Sequence, residues 1–212
     1  MIEPLISNGT LTLGRLSVQQ VENEYAEIRF LAYHKEKKLT HANIVSPSQM
    51  IDTFDKRSVS YGLFCGSKLV AAIRVIESKD GSDLPSSAFL SSVPSRVIPC
   101  YELSRAVVLS SYRGGGVFSL LIAAAIHQTR FMGVRHIIAA SADRNANHRF
   151  FGSVGLKAIG DKFLFRDEVI SPGGPSRLFE AVFPERFDVD SSLDHLADLL
   201  RSSAHRINKQ IG

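Results

Sequence analysis

The stretch Tyr101 to Met132, YELSRAVVLSSYRGGGVFSLLIAAAIHQTRFM, constrains the chain more than any other. Tyr101, Leu103, Arg105 and Val107 alternate with Glu102, Ser104, Ala106 and Val108, and the β-branched pair Val107-Val108 favours a strand. Ser110-Ser111 breaks it. Arg113-Gly114-Gly115-Gly116 suits neither a strand nor a helix interior, but it suits a tight turn into a helix N-terminus. Val117, Leu120, Leu121, Ala124, Ala125, Gln128 and Phe131-Met132 then keep helical spacing until Gly133. A strand, a glycine loop and a buried helix are expected, in that order.

Such a loop has a definite chemistry. Glycines expose backbone N–H groups, and a helix N-terminus carries about half a positive charge, so the two together can seat an anion. Arg113 adds a fixed cation. A phosphate is the expected ligand, from a nucleotide, coenzyme A or a phosphopantetheine arm. No Gly-Lys-Ser/Thr follows the glycines, and GxGxxG is absent, so neither a Walker loop nor a dinucleotide fingerprint is present. A plain strand-to-helix turn is the alternative.

The chain is long enough, at 212 residues, for one domain with a full core, and residues 1–212 are read as a single domain. No apolar run reaches the length of a membrane span, and MIEPLISNGT lacks the pattern of a secretory signal. Cys65 and Cys100 are too few for a metal framework; both read as core thiols, which points to a reducing cytoplasm. The net charge of +4 is dispersed with no aromatic-interleaved basic stretch, which argues against nucleic acid. It leaves room for docking an acidic carrier protein, with Arg130, Arg135, Arg144, Arg149 and Lys157 on the expected donor side; a solvated surface is the alternative for each.

Taken in order, Leu11 to Leu16 reads as a short strand or lead-in. Ser17 caps a helix with Val21, Tyr25, Ile28 and Ala32 on one face. Lys35 to Thr53 is polar and reads as a mobile cover. Val59 to Phe64 and Lys68 to Ile76 form a hairpin about Gly66-Ser67. Ala88 to Pro99 is irregular or a short helix. After the central stretch come a strand over Val134–Ser141, a helix over Asn145–Val154, a strand over Leu156–Phe165, a turn at Ser171–Pro175 and a strand over Arg177–Phe183. Asp190 or Ser191 caps a C-terminal helix reaching about residue 211, with Leu193, Leu196, Leu200, Ala204 and Ile207 on one face. Strands and helices mixed in this way give an α+β or α/β sandwich around one sheet.

The arginine-glycine loop after an apolar strand resembles the acyl-CoA loop of the GNAT acyltransferase superfamily, with Gly116 at its first glycine position and Phe118 where a small residue is usual. Asn145 to Leu156, with its Phe150-Phe151 pair before Gly155-Leu156, resembles the second signature of that superfamily. Earlier elements sharpen the likeness. Arg29, Asp52-Thr53-Phe54-Asp55, Arg74 within Val70–Val75, and Glu102-Leu103-Ser104-Arg105 followed by Tyr112-Arg113-Gly114 resemble the pattern of N-acyl amino acid synthases and acyl-homoserine-lactone synthases, over roughly residues 20 to 185. The resemblance implies a three-layer αβα sandwich around one mixed, mainly antiparallel sheet. The lactone synthases carry tryptophans that this chain lacks, and Tyr101 precedes Glu102. Both differences favour a simple amine acceptor over S-adenosylmethionine.

The expected reaction is amide formation between an acyl thioester and an amine, in which a base removes a proton and donors stabilise an oxyanion. Glu102 is the expected base, with Arg105 and Arg74 as electrostatic partners or clamps for the acceptor's carboxylate; a buried structural ion-pair network is the competing reading. Three residues apart on a regular strand, Glu102 and Arg105 face opposite ways, and a bulge between them would re-aim one. The pantetheine phosphate is expected on Tyr112, Arg113, Gly114, Gly115, Gly116 and Val117. Substrate is expected at Arg29, Asp52 and Asp55, a solvated loop charge being the alternative for each aspartate, and the acyl chain at Phe118, Leu121, Phe150 and Phe151, for which core packing is the alternative. His127 reads as a satisfied core histidine. No permanent cofactor or metal is expected: the acyl thioester, on acyl carrier protein or coenzyme A, is the donor. Expected partners are the carrier protein and a small amine acceptor, with peripheral membrane contact left open. An acyl-homoserine-lactone synthase and a non-catalytic acyl-thioester or carrier-protein binding module are the alternatives.

Overall fold

Two hairpin-linked strands anchor one end of the sheet. The computed structural model describes residues 3–36, 40–90, 99–142, 150–152, 154–165, 169–170 and 175–211. Strand β1 (Glu3–Ser7) pairs antiparallel with β2 (Leu11–Arg15), and β2 pairs with β3 (Ser58–Cys65). A two-residue turn at Gly66-Ser67 returns the chain as β4 (Lys68–Ser78), as the alternation predicts. β1 is an edge strand with exposed ends, and its sequence gives no clear alternation.

The central strand β5 (Cys100–Val108) pairs antiparallel with β4 and parallel with β6 (His136–Ala142). β7 (Lys157–Phe163) and β8 (Ser176–Val182) complete eight strands in the order β1-β2-β3-β4-β5-β6-β8-β7. The β5–β6 ladder runs only from Cys100–His136 to Leu103–Ala139. β5 goes on to Val108 and β6 to Ala142, so the sheet's single parallel pair parts at its C-terminal ends.

Helices flank this sheet. The first, α1, runs from Val18 to Glu36 and alternates α-helical turns (Val18–Gln20, Ala26–Arg29) with wider π-type turns (Val21–Tyr25, Phe30–Glu36). Ser17 caps it through a reciprocal bond with Gln20. The helix α2 (Val117–Phe131) follows the glycine loop, and its Val117, Leu120, Leu121, Ala124 and Ala125 are buried in the main core. The C-terminal helix α3 (Val189–Ile211) packs on α2 through Leu196, Leu200, Ala204 and Ile207. Its start is fixed by Asp188, whose carboxylate accepts the Ser191 N–H, two or three residues before the expected cap. His127 on α2 bonds the Ser192 hydroxyl at 2.8 Å, the satisfied core role that its sequence suggests.

The segment expected to be a mobile cover is tied down instead. Ile44 and Met50 are buried, Thr40 bridges to Ile170, and Pro47–Met50 forms a capped 3₁₀ turn. Apolar residues spaced through a polar stretch account for this. Ser87–Leu90 is a single helical turn. Of the helix expected over Asn145–Val154, residues 150–152 are helical; Arg144, Asn145–Arg149, Ser153 and most of the turn at Ser171–Pro175 lie outside the described residues. Among the described residues no helix is long and apolar enough to cross a membrane.

Candidate active site

The bulge expected between Glu102 and Arg105 is present. Arg74 pairs with Ser104 and Ala72 with Val107, so Arg105 and Ala106 together stand opposite Ile73, a one-residue bulge on β5. Arg105 has φ +54°, the sole positive value at a non-glycine position among the described residues. The bulge frees two carbonyls from the ladder, and α1 satisfies both. The Tyr25 hydroxyl donates to the Arg105 carbonyl and the Tyr33 hydroxyl to that of Ala106, each at 2.7 Å.

Around this bulge lies a buried charged cluster. Arg29, from the same face of α1 as the two tyrosines, forks onto Asp55 at 2.8 and 2.9 Å and donates to the Met50 carbonyl. Its guanidinium stacks on the Tyr25 ring at 3.7 Å. Asp52 and Asp55 sit on a 3₁₀ turn (Thr53–Arg57) that Asp52 itself caps. Asp52 takes Arg74 on one oxygen and Arg105 on the other, the latter at 2.8 Å. Arg74 also reaches Asp55 at 3.2 Å and donates to the Ser104 hydroxyl at 3.0 Å. Burial raises the Asp52 and Asp55 carboxyls, but the guanidinium groups outweigh it and hold both below the usual carboxylate range.

Glu102 differs. It is 1 % exposed and lies between Ile76 on β4 and Ile138 on β6, its neighbours in register. Both belong to a small apolar cluster with Leu84, Leu90 and Leu178. Oε2 accepts the Ser86 N–H at 3.1 Å and the Ser86 hydroxyl at 2.7 Å. Burial pushes the carboxyl up to about 6, against the opposing pull of Ser86, Arg74 and Arg105. Thus three guanidinium groups face three carboxylates, of which only Glu102 is poised to exchange a proton near neutrality.

The glycine loop follows β5. Gly114 and Gly116 have φ +83° and +82°, values that L side chains rarely adopt. The first bond of α2 runs from the Leu120 N–H to the Gly116 carbonyl, so the N–H groups before it have no partner within the helix. Arg113 donates to the Val108 carbonyl at 3.0 Å and pairs with Glu36 of α1. Gly115 and Val117 are buried, and Tyr112 packs into the core with its phenol beside Cys65. A Cβ on Gly116 would lie 3.3 Å from Ser203 Oγ and 3.5 Å from an Arg206 guanidinium nitrogen, so α3 closes the side of this loop.

The structure thus gathers Arg29, Asp52, Asp55, Arg74, Glu102 and Arg105 in one place. It turns Arg29, Asp52 and Asp55 toward each other and the other arginines, where the sequence reading had them meet substrate. Phe118, Phe150 and Phe151 form one aromatic group, with Phe118–Phe150 centroids 5.1 Å apart. Phe151 and Leu121 are buried core residues, as the packing alternative holds, whereas Phe118 and Phe150 are half-buried. Sequence reading missed Ser86, Tyr25 and Tyr33 as site residues. The tyrosines did leave a signal, since Tyr25, Arg29 and Tyr33 recur every fourth residue; Ser86 left none.

A buried acid–base centre beside a glycine loop, on a sheet whose parallel pair parts, fits a group-transfer enzyme. Residues 28–123 match the acetyltransferase (GNAT) domain family. A search of curated proteins finds no significant match. Solved structures with the same fold include an N-acyl amino acid synthase, FeeM, from uncultured soil microbes (15 % identity, TM-score 0.64, 82 % of this chain and 92 % of that one). They also include a CoA-dependent acyl-homoserine lactone synthase, BjaI, solved with SAM and isopentyl-CoA (16 %, 0.64, 92 % and 97 %). A third is a polyamine N-acetyltransferase from Drosophila melanogaster (14 %, 0.65, 82 % and 100 %). The class is therefore that of the acyltransferases. Residues 28–123 carry the likeness to the GNAT acetyltransferase domain, and the chain has a GNAT-like fold.

Proposed function

We propose that this chain is an N-acyltransferase that moves a medium or long acyl chain from acyl carrier protein or coenzyme A to the amine of an amino acid or a similar acceptor. The observation that carries this reading is Glu102: a buried carboxylate raised to about 6, within the field of Arg74 and Arg105, next to a bulged strand. At neutral pH it is ionised and takes one proton from the acceptor's ammonium group, directly or through a water. The freed amine attacks the thioester carbonyl, the C–N bond forms, and the C–S bond breaks as the tetrahedral intermediate collapses to amide and thiol. When Glu102 holds the proton, the three guanidinium groups outnumber the ionised carboxylates by one. That surplus favours the negative charge developing on the carbonyl oxygen and an acceptor bearing a carboxylate.

Arg29, Asp52 and Asp55 act in this scheme by fixing Arg74 and Arg105. Gly114 to Gly116, with Arg113 released from Glu36, would hold the pantetheine phosphate. Tyr112 and Val117 support the loop from the core. Phe118 and Phe150 would line the acyl chain, with Phe151 behind them. The N-acyl amino acid synthase among the structural neighbours supports an amino acid acceptor. The lactone synthase, which aligns with 92 % of this chain, keeps a second reading in view, and that reading requires release of methylthioadenosine from S-adenosylmethionine.

Mass spectrometry of lipid extracts from cells producing the chain tests the proposal, with Glu102→Ala as the control. A new N-acyl amino acid absent from the control is the expected result. An acyl-homoserine lactone would replace this reading with the second. Purified chain that binds acyl thioester but transfers it to no amine would leave a binding module.

A further inference from the structure

Glu102 has no ion-pair partner among the described residues, although two arginines stand near. What holds it is Ser86. This serine is 0 % exposed, ends the loop after β4, and precedes the turn Ser87–Leu90. Its N–H and its hydroxyl both point at one oxygen, Oε2, at 3.1 and 2.7 Å. Oε1 receives no hydrogen bond from any described residue. The two oxygens of the carboxylate are therefore unequal before any substrate arrives: one is anchored by two donors and the other is open.

We infer that Ser86 is a positioning residue for the acyl transfer: its two donors saturate Oε2 of Glu102, hold the group as a carboxylate, and leave Oε1 as the oxygen that takes the acceptor's proton. The inference rests on the reading of Glu102 as base. The serine's hydroxyl is enclosed and aimed at the carboxylate. The other groups facing Glu102 are Arg74 from β4 and Arg105 from β5, each tied to Asp52, and the Cys100 thiol two residues away on the same strand. Both arginines favour the anion, and neither distinguishes its oxygens by contact. Protonation at Oε1 leaves Oε2 as a carbonyl oxygen that keeps both Ser86 bonds, so the serine is satisfied in both states of the base.

The test is the pair Ser86→Ala and Ser86→Cys, read in two ways. The first is the pH dependence of kcat/KM for acyl transfer. The Ala variant should move the acid limb up by about one pH unit, a loss of roughly fivefold at pH 6 that approaches tenfold at lower pH and largely recovers by pH 8. The Cys variant, of similar size but a weaker donor, should fall between. A uniform loss at every pH with an unmoved acid limb would overturn the inference, because a merely structural serine behaves that way. The second reading needs no turnover: infrared titration of the unliganded protein, with Glu102→Gln as the blank. The protonated carboxyl stretch should lie low in the wild type and rise in frequency in both variants, with its midpoint moving up. If the Ala variant does not fold, a Cys variant with wild-type midpoint and frequency overturns the inference by itself. Turnover retained in Glu102→Gln would overturn the base reading alone, since the infrared shift still reports whether Ser86 grips the carboxylate.

Discussion

The charged cluster, gathered at the bulge of β5, and the glycine loop that follows the strand are built by opposite means. In the cluster, side chains define one another: Arg29, Asp55, Arg74, Asp52 and Arg105 form an unbroken line of buried ion pairs. In the loop, the backbone defines the site through Gly114 and Gly116 at positive φ, and the one charged side chain, Arg113, is well exposed. Loss of one member should therefore collapse the cluster but only weaken the loop.

Arg29→Ala is the strongest way to break this contrast. It leaves Asp55 buried without its forked partner, and removal of one member of such a pair costs about 3–5 kcal/mol, so the variant should be poorly folded by circular dichroism and thermal melting. Glu102→Gln comes next and separates chemistry from stability. Turnover should fall about 10²- to 10⁴-fold with little change in Tm, as expected for loss of a general base. A large drop in Tm would assign Glu102 to the structural network instead.

Gly114→Ala should cost about 1–2 kcal/mol, because an L side chain resists φ near +83°. It should also weaken thioester binding, measured by calorimetry. Arg113→Ala should be milder still. Its pair with Glu36 is partly exposed and contributes at most about 1 kcal/mol, while KM for the donor should rise about tenfold with kcat nearly unchanged. An equal fall in kcat would show the loop to be as interlocked as the cluster.

The pH dependence of stability sharpens the same contrast. Asp52 and Asp55 titrate lower in the fold than in the unfolded chain, so their contribution is complete above about pH 4 and is lost as pH falls through their folded values. Glu102 has the opposite sign. The fold binds its proton more tightly, so its contribution declines as pH rises from about 4.3 through about 6 and is flat beyond. Thermal melts across pH 3 to 8 should show both limbs, and Glu102→Gln should remove only the upper one.

Much of this was readable in the chain. The hairpin about Gly66-Ser67, the central strand, the glycine loop, α2 and the apolar face of α3 all follow from local alternation, helical spacing and turn chemistry. The membership of the cluster was visible as residue types, yet its wiring was not. Asp52 and Asp55 look like solvated loop charges until the 3₁₀ turn folds beneath Arg74. Ser86 has no local mark, because its meaning comes from a carboxylate 16 residues later in the chain. β1 escaped because an exposed edge strand needs no apolar alternation.

The two tyrosine bonds to the bulge have a consequence for the order of events in folding. Their donors precede their acceptors by 80 and 73 residues. A nascent β5 without α1 would carry two unmet carbonyls and an arginine at positive φ, so the strand can pair with β4 early but cannot keep its insertion until the N-terminal helix docks. Contacts of such long range form slowly. Amide exchange during refolding should therefore show the hairpin β3–β4 protected first and the amides around Arg105 among the last, so that the charged cluster matures after the sheet that bears it.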